Sequence, residues 1–465
     1  MATLLKNLLL LLALASAIWL VVLWRWWATR YEASTADALR ELVALPLLLF
    51  AFVLALRGAL RGAAARLARE EAHAREAAAA ATPAPAVGPE APTVWPLLGA
   101  WVQTPAGAEV GTLREALATG QPRPVPDAEL RDLDGLPVLC ARIATLDVGA
   151  VEAALGTEAS PAVLRALAAL VPVLEQAGQR LQGWSDRFGL VRGQARRRIH
   201  VLAGWPVDWN EAERKAAQAW LARRLRNAAG DAVPASAWQG QAPQASGAEL
   251  LDAAQRLLQT LRREDRDDLV LLLAAHSDLD DAALQRLEQS GRLFSMPARF
   301  RGVMPGEAAA ALLLATRSWP PAEGDAPAQA LVLQAVELAP RTPPLRRLAR
   351  GPDPALLALL KQALQRAGLE PAAVGLVAGD AARHGEAASE LQALVAALLP
   401  HLDPVEDVVL LGTACGHTGT AGALLALATA AGPCGEEGKA GLALGLEQEG
   451  WAVVAVVGSP ESPTA

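Results

Sequence analysis

From position 94 to about 460 the chain repeats one pattern: a short, nearly uninterrupted apolar run, a turn, and then an amphipathic segment of helical period. A run that is apolar on both faces must be covered on both faces, and a sheet flanked by helices does this for many strands at once. The apolar runs fall at Trp95 to Trp101, Leu136 to Ile143, Ile199 to Ala203, Leu269 to Ala275, Ala308 to Ala315, Leu331 to Leu338, Val374 to Ala378, Val408 to Gly412, Lys439 to Leu444 and Trp451 to Val457. Helical periodicity predicts helices near 109–119, 162–181, 211–226, 248–262, 281–288, 354–367, 387–399 and 420–431. The fold class is therefore α/β. With one Tyr and five Phe in 465 residues, the core must be filled by small aliphatic side chains, which argues against an aromatic-rich β-sandwich.

The order of these units adds a constraint. One series closes near Ala315, and a similar, shorter one opens near Leu331. The segment Gly419 to Ala431 has hardly any polar face, and a helix apolar all round belongs in the interior of a large protein. Two similar halves, 94–316 and 328–460, stacked with helices between their sheets, account for both features. About 370 residues are ample for such a core.

Ahead of this body the sequence reads as a membrane anchor, 1–62, and an Ala/Pro-rich linker, 63–93. Leu8 to Trp24 is apolar except for Ser16, and Trp24, Trp26 and Trp27 suit the interfacial belt. The bulky residues at 24–27 make a poor signal-peptide cleavage site. A second uncharged run, 42–56, contains Pro46 and is either a short span or an interfacial or buried helix. Arg57, Arg61, Arg66, Arg69 and Arg75 follow it, whereas the loop between the runs balances its charges. With two spans, the positive-inside rule places the body on the cytoplasmic side of a bacterial inner membrane, with lipid met through the N-terminal helices. The prolines between 83 and 92 stiffen the linker without folding it.

A net charge of −7 with scattered basic residues provides no nucleic-acid face. Cys140, Cys415 and Cys434 form no C-x-x-C pair or zinc spacing, and their odd number argues against a secreted disulfide scaffold. No G-x-x-x-x-G-K, G-x-S-x-G or H-E-x-x-H motif occurs. His276-Ser-Asp-Leu-Asp-Asp places three carboxylates near one histidine, a pattern compatible with a metal, but Asp278 and Asp280 are expected to cap or start the next helix. The expectation is no cofactor and no metal.

Four blocks carry a family resemblance. Cys415-Gly-His-Thr-Gly-Thr-Ala-Gly-Ala-Leu-Leu-Ala-Leu resembles the β-ketoacyl synthase stretch in which a Gly-His loop opens a buried small-residue helix. Gly291-Arg-Leu-Phe-Ser with Phe300-Arg-Gly-Val-Met-Pro-Gly-Glu-Ala-Ala-Ala-Ala-Leu-Leu-Leu resembles the segment that ends that family's first half. Leu98-Gly-Ala-Trp-Val-Gln-Thr-Pro-Ala-Gly with Leu113-Arg-Glu-Ala-Leu-Ala-Thr-Gly resembles its opening strand and helix. Ala363-Leu-Gln-Arg-Ala-Gly-Leu-Glu-Pro-Ala-Ala-Val-Gly-Leu-Val resembles the helix and strand before its first catalytic histidine. The blocks run in the family's order from about 98 to 431. The resemblance implies a thiolase-like, five-layered αβαβα body, and a homodimer or heterodimer.

It also implies condensation on a cysteine thiolate supported by two histidines and often a lysine, which act only when held together. Here the chain departs. The nucleophile position, before the helix 250–261, reads Gln244-Ala-Ser-Gly-Ala-Glu, with Ser246 as a weak hydroxyl candidate and a solvated turn serine as the alternative. The first histidine position reads Gly379-Asp380-Ala381, with His384 a few residues late. The lysine position is Gly412. His417 alone matches, and it is read as structural. Cys415 and Cys140 are read as buried, and Cys434 as a loop residue.

A non-catalytic protein is expected. The main reading is a membrane-anchored protein-binding adaptor, similar in layout to those that load lipase effectors onto the type VI secretion spike, with a secreted effector as partner. The alternative is a divergent ketosynthase or chain-length-factor-like subunit, or an acyltransferase, with an acyl-chain synthesis component as partner. Trp205, Trp209, Trp220 and Trp238 form either a docking face or the core of an insert.

Overall fold

A computed structural model describes residues 94–155, 159–188, 198–230, 244–295, 302–317, 331–341, 352–382, 385–432, 434, 438–446 and 450–459, together with isolated positions between 19 and 42. Contacts divide the chain into two compact units, Met1–Pro89 and Glu90–Ala465. In the first, Trp19 Nε1 donates to the Leu42 carbonyl at 2.6 Å. The expected spans at 8–24 and 42–56 and the linker otherwise lie outside the described residues.

The second unit is built from β1 (Trp95–Gln103), α1 (Val110–Thr119), β2 (Val125–Arg131), β3 (Pro137–Cys140), α2 (Val148–Leu155), α3 (Pro161–Phe188), β4 (Ile199–Gly204), α4 (Glu211–Ala229), α5 (Gly247–Arg263), β5 (Leu269–Ser277), α6 (Asp281–Gln289) and β6 (Glu307–Ala315). It continues with β7 (Leu331–Pro340), α7 (Pro354–Ala367), β8 (Val374–Gly379), α8 (Glu386–Leu398), β9 (Val408–Leu410), α9 (Gly412–Cys415), α10 (Gly422–Ala431), β10 (Ala440–Gly445) and β11 (Trp451–Gly458).

Nine strands hydrogen-bond in the order β4-β5-β6-β1-β7-β11-β10-β8-β9. The two halves meet where Trp95, Pro96 and Leu97 of β1 pair with Leu333, Val332 and Leu331 of β7. Within each half the plan repeats. The opening strand, β1 or β7, is antiparallel to the closing strand, β6 or β11, which is antiparallel to β5 or β10, which is parallel to β4 or β8. The second half adds β9, parallel to β8.

Side-chain alternation along β5 and β6 sorts the layers. Val270, Leu272, Ala274, Ala308, Ala310 and Leu312 face a central cluster that includes α5 and α10, while Leu269, Leu271, Leu273, Ala309, Ala311 and Leu313 face an outer cluster with α3 and α4. Helices α7 and α8 cover the outer face of the second half. The central layer is therefore α5 and α10, reached from both halves. All ten residues of α10 are buried, as expected for a helix apolar all round. The layers run α, β, α, β, α.

Among the described residues, one helical stretch, Pro161–Trp184, is long and apolar enough to cross a membrane. It belongs to α3, whose Leu167, Leu170 and Leu174 are fully buried in the body. Three elements escape the sequence periodicity, the strand β2, the eight-residue helix α2 and the four-residue helix α9.

Candidate functional site

The chemistry-bearing residues converge where β5 runs out beside the loop before α10. Positions 276 and 278 continue the inward-facing register of Val270, Leu272 and Ala274, so His276 and Asp278 face the central layer. The backbone then locks both sides of the site to one segment. Asp278 N donates to Gly306 O at 3.0 Å, and His417 N donates to Met304 O at 2.7 Å. Glycines permit this approach. A Cβ on Gly416, whose φ is +65°, would lie 2.8 Å from the carbonyl oxygens of Met304 and Pro305, and one on Gly419, φ +41°, would strike the His276 ring.

The Asp278 carboxylate bridges two imidazoles. Its Oδ2 lies 2.6 Å from His417 Nδ1 and its Oδ1 lies 3.0 Å from His276 Nε2. The rings meet edge to face, 5.0 Å between centroids at 89°. Burial alone would push the Asp278 carboxyl up, but the His276 and His417 rings outweigh it and hold the group well below the usual carboxylate range. The His276–Asp278 contact is electrostatic rather than an aligned hydrogen bond, and both His276 ring nitrogens and the buried Thr418 hydroxyl lack an aligned partner. All three cluster residues are buried, at 6–8% exposure.

This corrects the sequence reading of Asp278 as a helix cap. Asp280 alone caps α6, accepting the Ala283 amide at 2.6 Å. The missed signal was the period of two. Residues i and i+2 at the end of a strand share a face, so His276 and Asp278 point together wherever β5 points.

The expected nucleophile position offers no thiol. Ser246 is the N-cap of α5, its Oγ accepting the Glu249 amide at 3.2 Å, and it is only 4% exposed. It is a buried cap, not a solvated turn serine. At the first-histidine position Asp380 is buried and accepts the Leu446 amide at 2.6 Å, a link between strand ends. His384 lies outside the described residues. Gly412, at the lysine position, has no room for any side chain, since a Cβ would sit 2.7 Å from Ala382 N and Cα.

Burial disfavours the thiolate form of all three cysteines. Cys415, fully buried beside the Thr104 side chain, and Cys140 have thiols pushed up to about 12 by burial. Cys434 is buried just beyond α10, its Sγ donating to Ala430 O at 3.0 Å, and is not the loop residue expected. The tryptophan docking face is also corrected. Trp205 and Trp209 stack at 5.4 Å, and with Trp220 they are at most 5% exposed in the outer cluster. Trp238 lies outside the described residues.

The two repeated halves, the five layers and the central helix pair define a thiolase-like fold of the ketosynthase type. Solved structures agree. The ishigamide ketosynthase/chain length factor is 19% identical and superposes with a TM-score of 0.51, over 79% of this chain and 99% of that one. The oxazolomycin ketosynthase domain OzmH KS7 of Streptomyces albus JA3453 gives 16% identity and 0.53 over 79% and 75%. The ketosynthase ApeO in complex with its chain length factor ApeC, from Xenorhabdus doucetiae, gives 14% and 0.51 over 80% and 99%. No family model matches the sequence, and no curated protein sequence does.

Proposed function

We propose that this chain is a non-condensing, chain-length-factor-like subunit that works beside an active ketosynthase in acyl-chain synthesis, held at the membrane by its apolar N-terminal runs. One observation carries the reading. At the amino end of α5, the place of the nucleophile in the resembling family, Ser246 is buried and spent as a helix cap. Covalent condensation needs a thiolate with its oxyanion support, and no cysteine of this chain supplies one. A thiolase body without a nucleophile contributes through a partner. The structures with the same fold include chain length factors paired with ketosynthases.

Purification of the full-length protein from native membranes in mild detergent, followed by mass spectrometry, tests this. A ketosynthase or an acyl-carrier protein is expected in stoichiometric yield. A secreted effector recovered without either would replace this reading with the adaptor. A covalent acyl adduct on the isolated chain after incubation with an acyl thioester would overturn the non-condensing assignment.

A further inference from the structure

We propose that His276, Asp278 and His417 form a site for one divalent transition-metal ion of the zinc or cobalt type. Two imidazole nitrogens and a carboxylate oxygen are the donor set of sites with three protein ligands and an open fourth position. The donor atoms here all lie within 4.8 Å of one another. With metal–ligand distances of about 2.0–2.2 Å, an ion between them needs donors separated by roughly 3.2–3.5 Å. For an ion bound through Asp278 Oδ2, the 2.6 Å contact of that oxygen with His417 Nδ1 must open by under about 1 Å, and a His276 ring nitrogen lies within the same 4.8 Å spread.

The surroundings fit a ligand held between these groups better than direct pairing. Buried polar atoms are almost always partnered, yet His276 is 7% exposed and neither of its ring nitrogens has an aligned hydrogen bond. The neighbouring Thr418 hydroxyl, 1% exposed, is also unpartnered. A cation held by His276 Nε2, Asp278 and His417 Nδ1 would give directional coordination to an imidazole nitrogen that the fold has buried beside a carboxylate without an aligned hydrogen bond.

The ligands are preorganised by main chain. Asp278 and His417 are both fixed to the Met304–Gly306 segment by their own amides, and His276 sits on a strand paired on both sides. Side-chain exposures of 8–10% leave a narrow approach from solvent. The site does not depend on the partner assigned above, because metal binding is read on this chain alone.

The test uses the full-length protein in detergent, stripped with a chelator and titrated with Co(II). One equivalent should bind with visible ligand-field absorption that Zn(II) abolishes. D278N and H417Q should each weaken binding at least 100-fold, while H73Q, outside the body, leaves it unchanged. Far-UV circular dichroism establishes that each variant is folded. Should the variants unfold, the wild-type protein decides: saturating Zn(II) must raise Tm and chelator must reverse it. Absence of stoichiometric Co(II) binding, binding unaltered in folded D278N and H417Q, or a Tm indifferent to Zn(II) overturns the site.

Discussion

Glu307 shows how much a single residue holds at the edge of the site. It is fully buried at the start of β6, where it accepts the Ile143 amide at 2.6 Å and both Nε and Nη2 of Arg165, at 2.8 and 2.6 Å, with the Ser277 hydroxyl at 3.2 Å. One carboxylate thus ties the loop before α2, helix α3 and the last residue of β5, next to His276. Removing one partner of a buried pair leaves the other charge uncompensated, a larger loss than the pair's net worth. E307A is expected to cost about 3–5 kcal/mol in chemical denaturation, and a loss under about 1 kcal/mol would show that Arg165 finds water instead. The sequence displays Glu307 inside a resembling block, but not its partner 142 positions away.

At the scale of elements, long periodic segments were legible and short ones were not. The predicted strand 269–275 is extended by His276 and Ser277, and the predicted helix 354–367 matches α7. The strand β2 was missed because Val-Pro-Asp-Ala-Glu-Leu-Arg has no alternation, and α2 because eight residues span barely two turns. Asp127 adds side-chain ties to the backbone pairing of β2 with β3. Its carboxylate accepts from Arg142 Nε at 2.7 Å, the Cys140 thiol at 3.0 Å and the Glu129 and Leu130 amides. Burial pushes this carboxyl up, but the Arg142, Cys140 and amide hydrogen bonds outweigh it and leave it well below the usual range. A carboxylate depressed in the folded state stabilises above its unfolded pKa of about 3.9 and loses that contribution as pH falls below it. Wild type should therefore lose more stability than D127N between about pH 4 and pH 2.5 in urea titrations, and parallel curves would remove Asp127 as the cause.

The whole molecule protects its thiols together. Cys140 lies in the hairpin cluster, and Cys415 and Cys434 lie in the central layer, all at most 2% exposed, with pKa values pushed by burial to about 12, 12 and 11. Alkylation needs both exposure and thiolate. In native buffer near neutral pH none of the three should react with iodoacetamide within the lifetime of the fold, and all three should react in guanidinium, as read by intact mass. Rapid single labelling of native protein at Cys415 would show that the central layer opens locally and would make Cys415 a nucleophile candidate.

The sequence by itself determined the long strands and helices, their two similar series and the burial of α10, because apolar periodicity is local and each run states which of its faces must be covered. It also showed that cysteine, lysine and one histidine were missing from the resembling catalytic positions, a matter of residue identity alone. Tertiary structure decided the rest. Asp278 and His417 are 139 residues apart, and they meet only because glycines at 306, 416 and 419 let two backbones and a ring approach closer than any Cβ allows. The same packing put Trp205, Trp209 and Trp220 in a core, since aromatic identity favours burial and interfaces alike and only the neighbours choose between them.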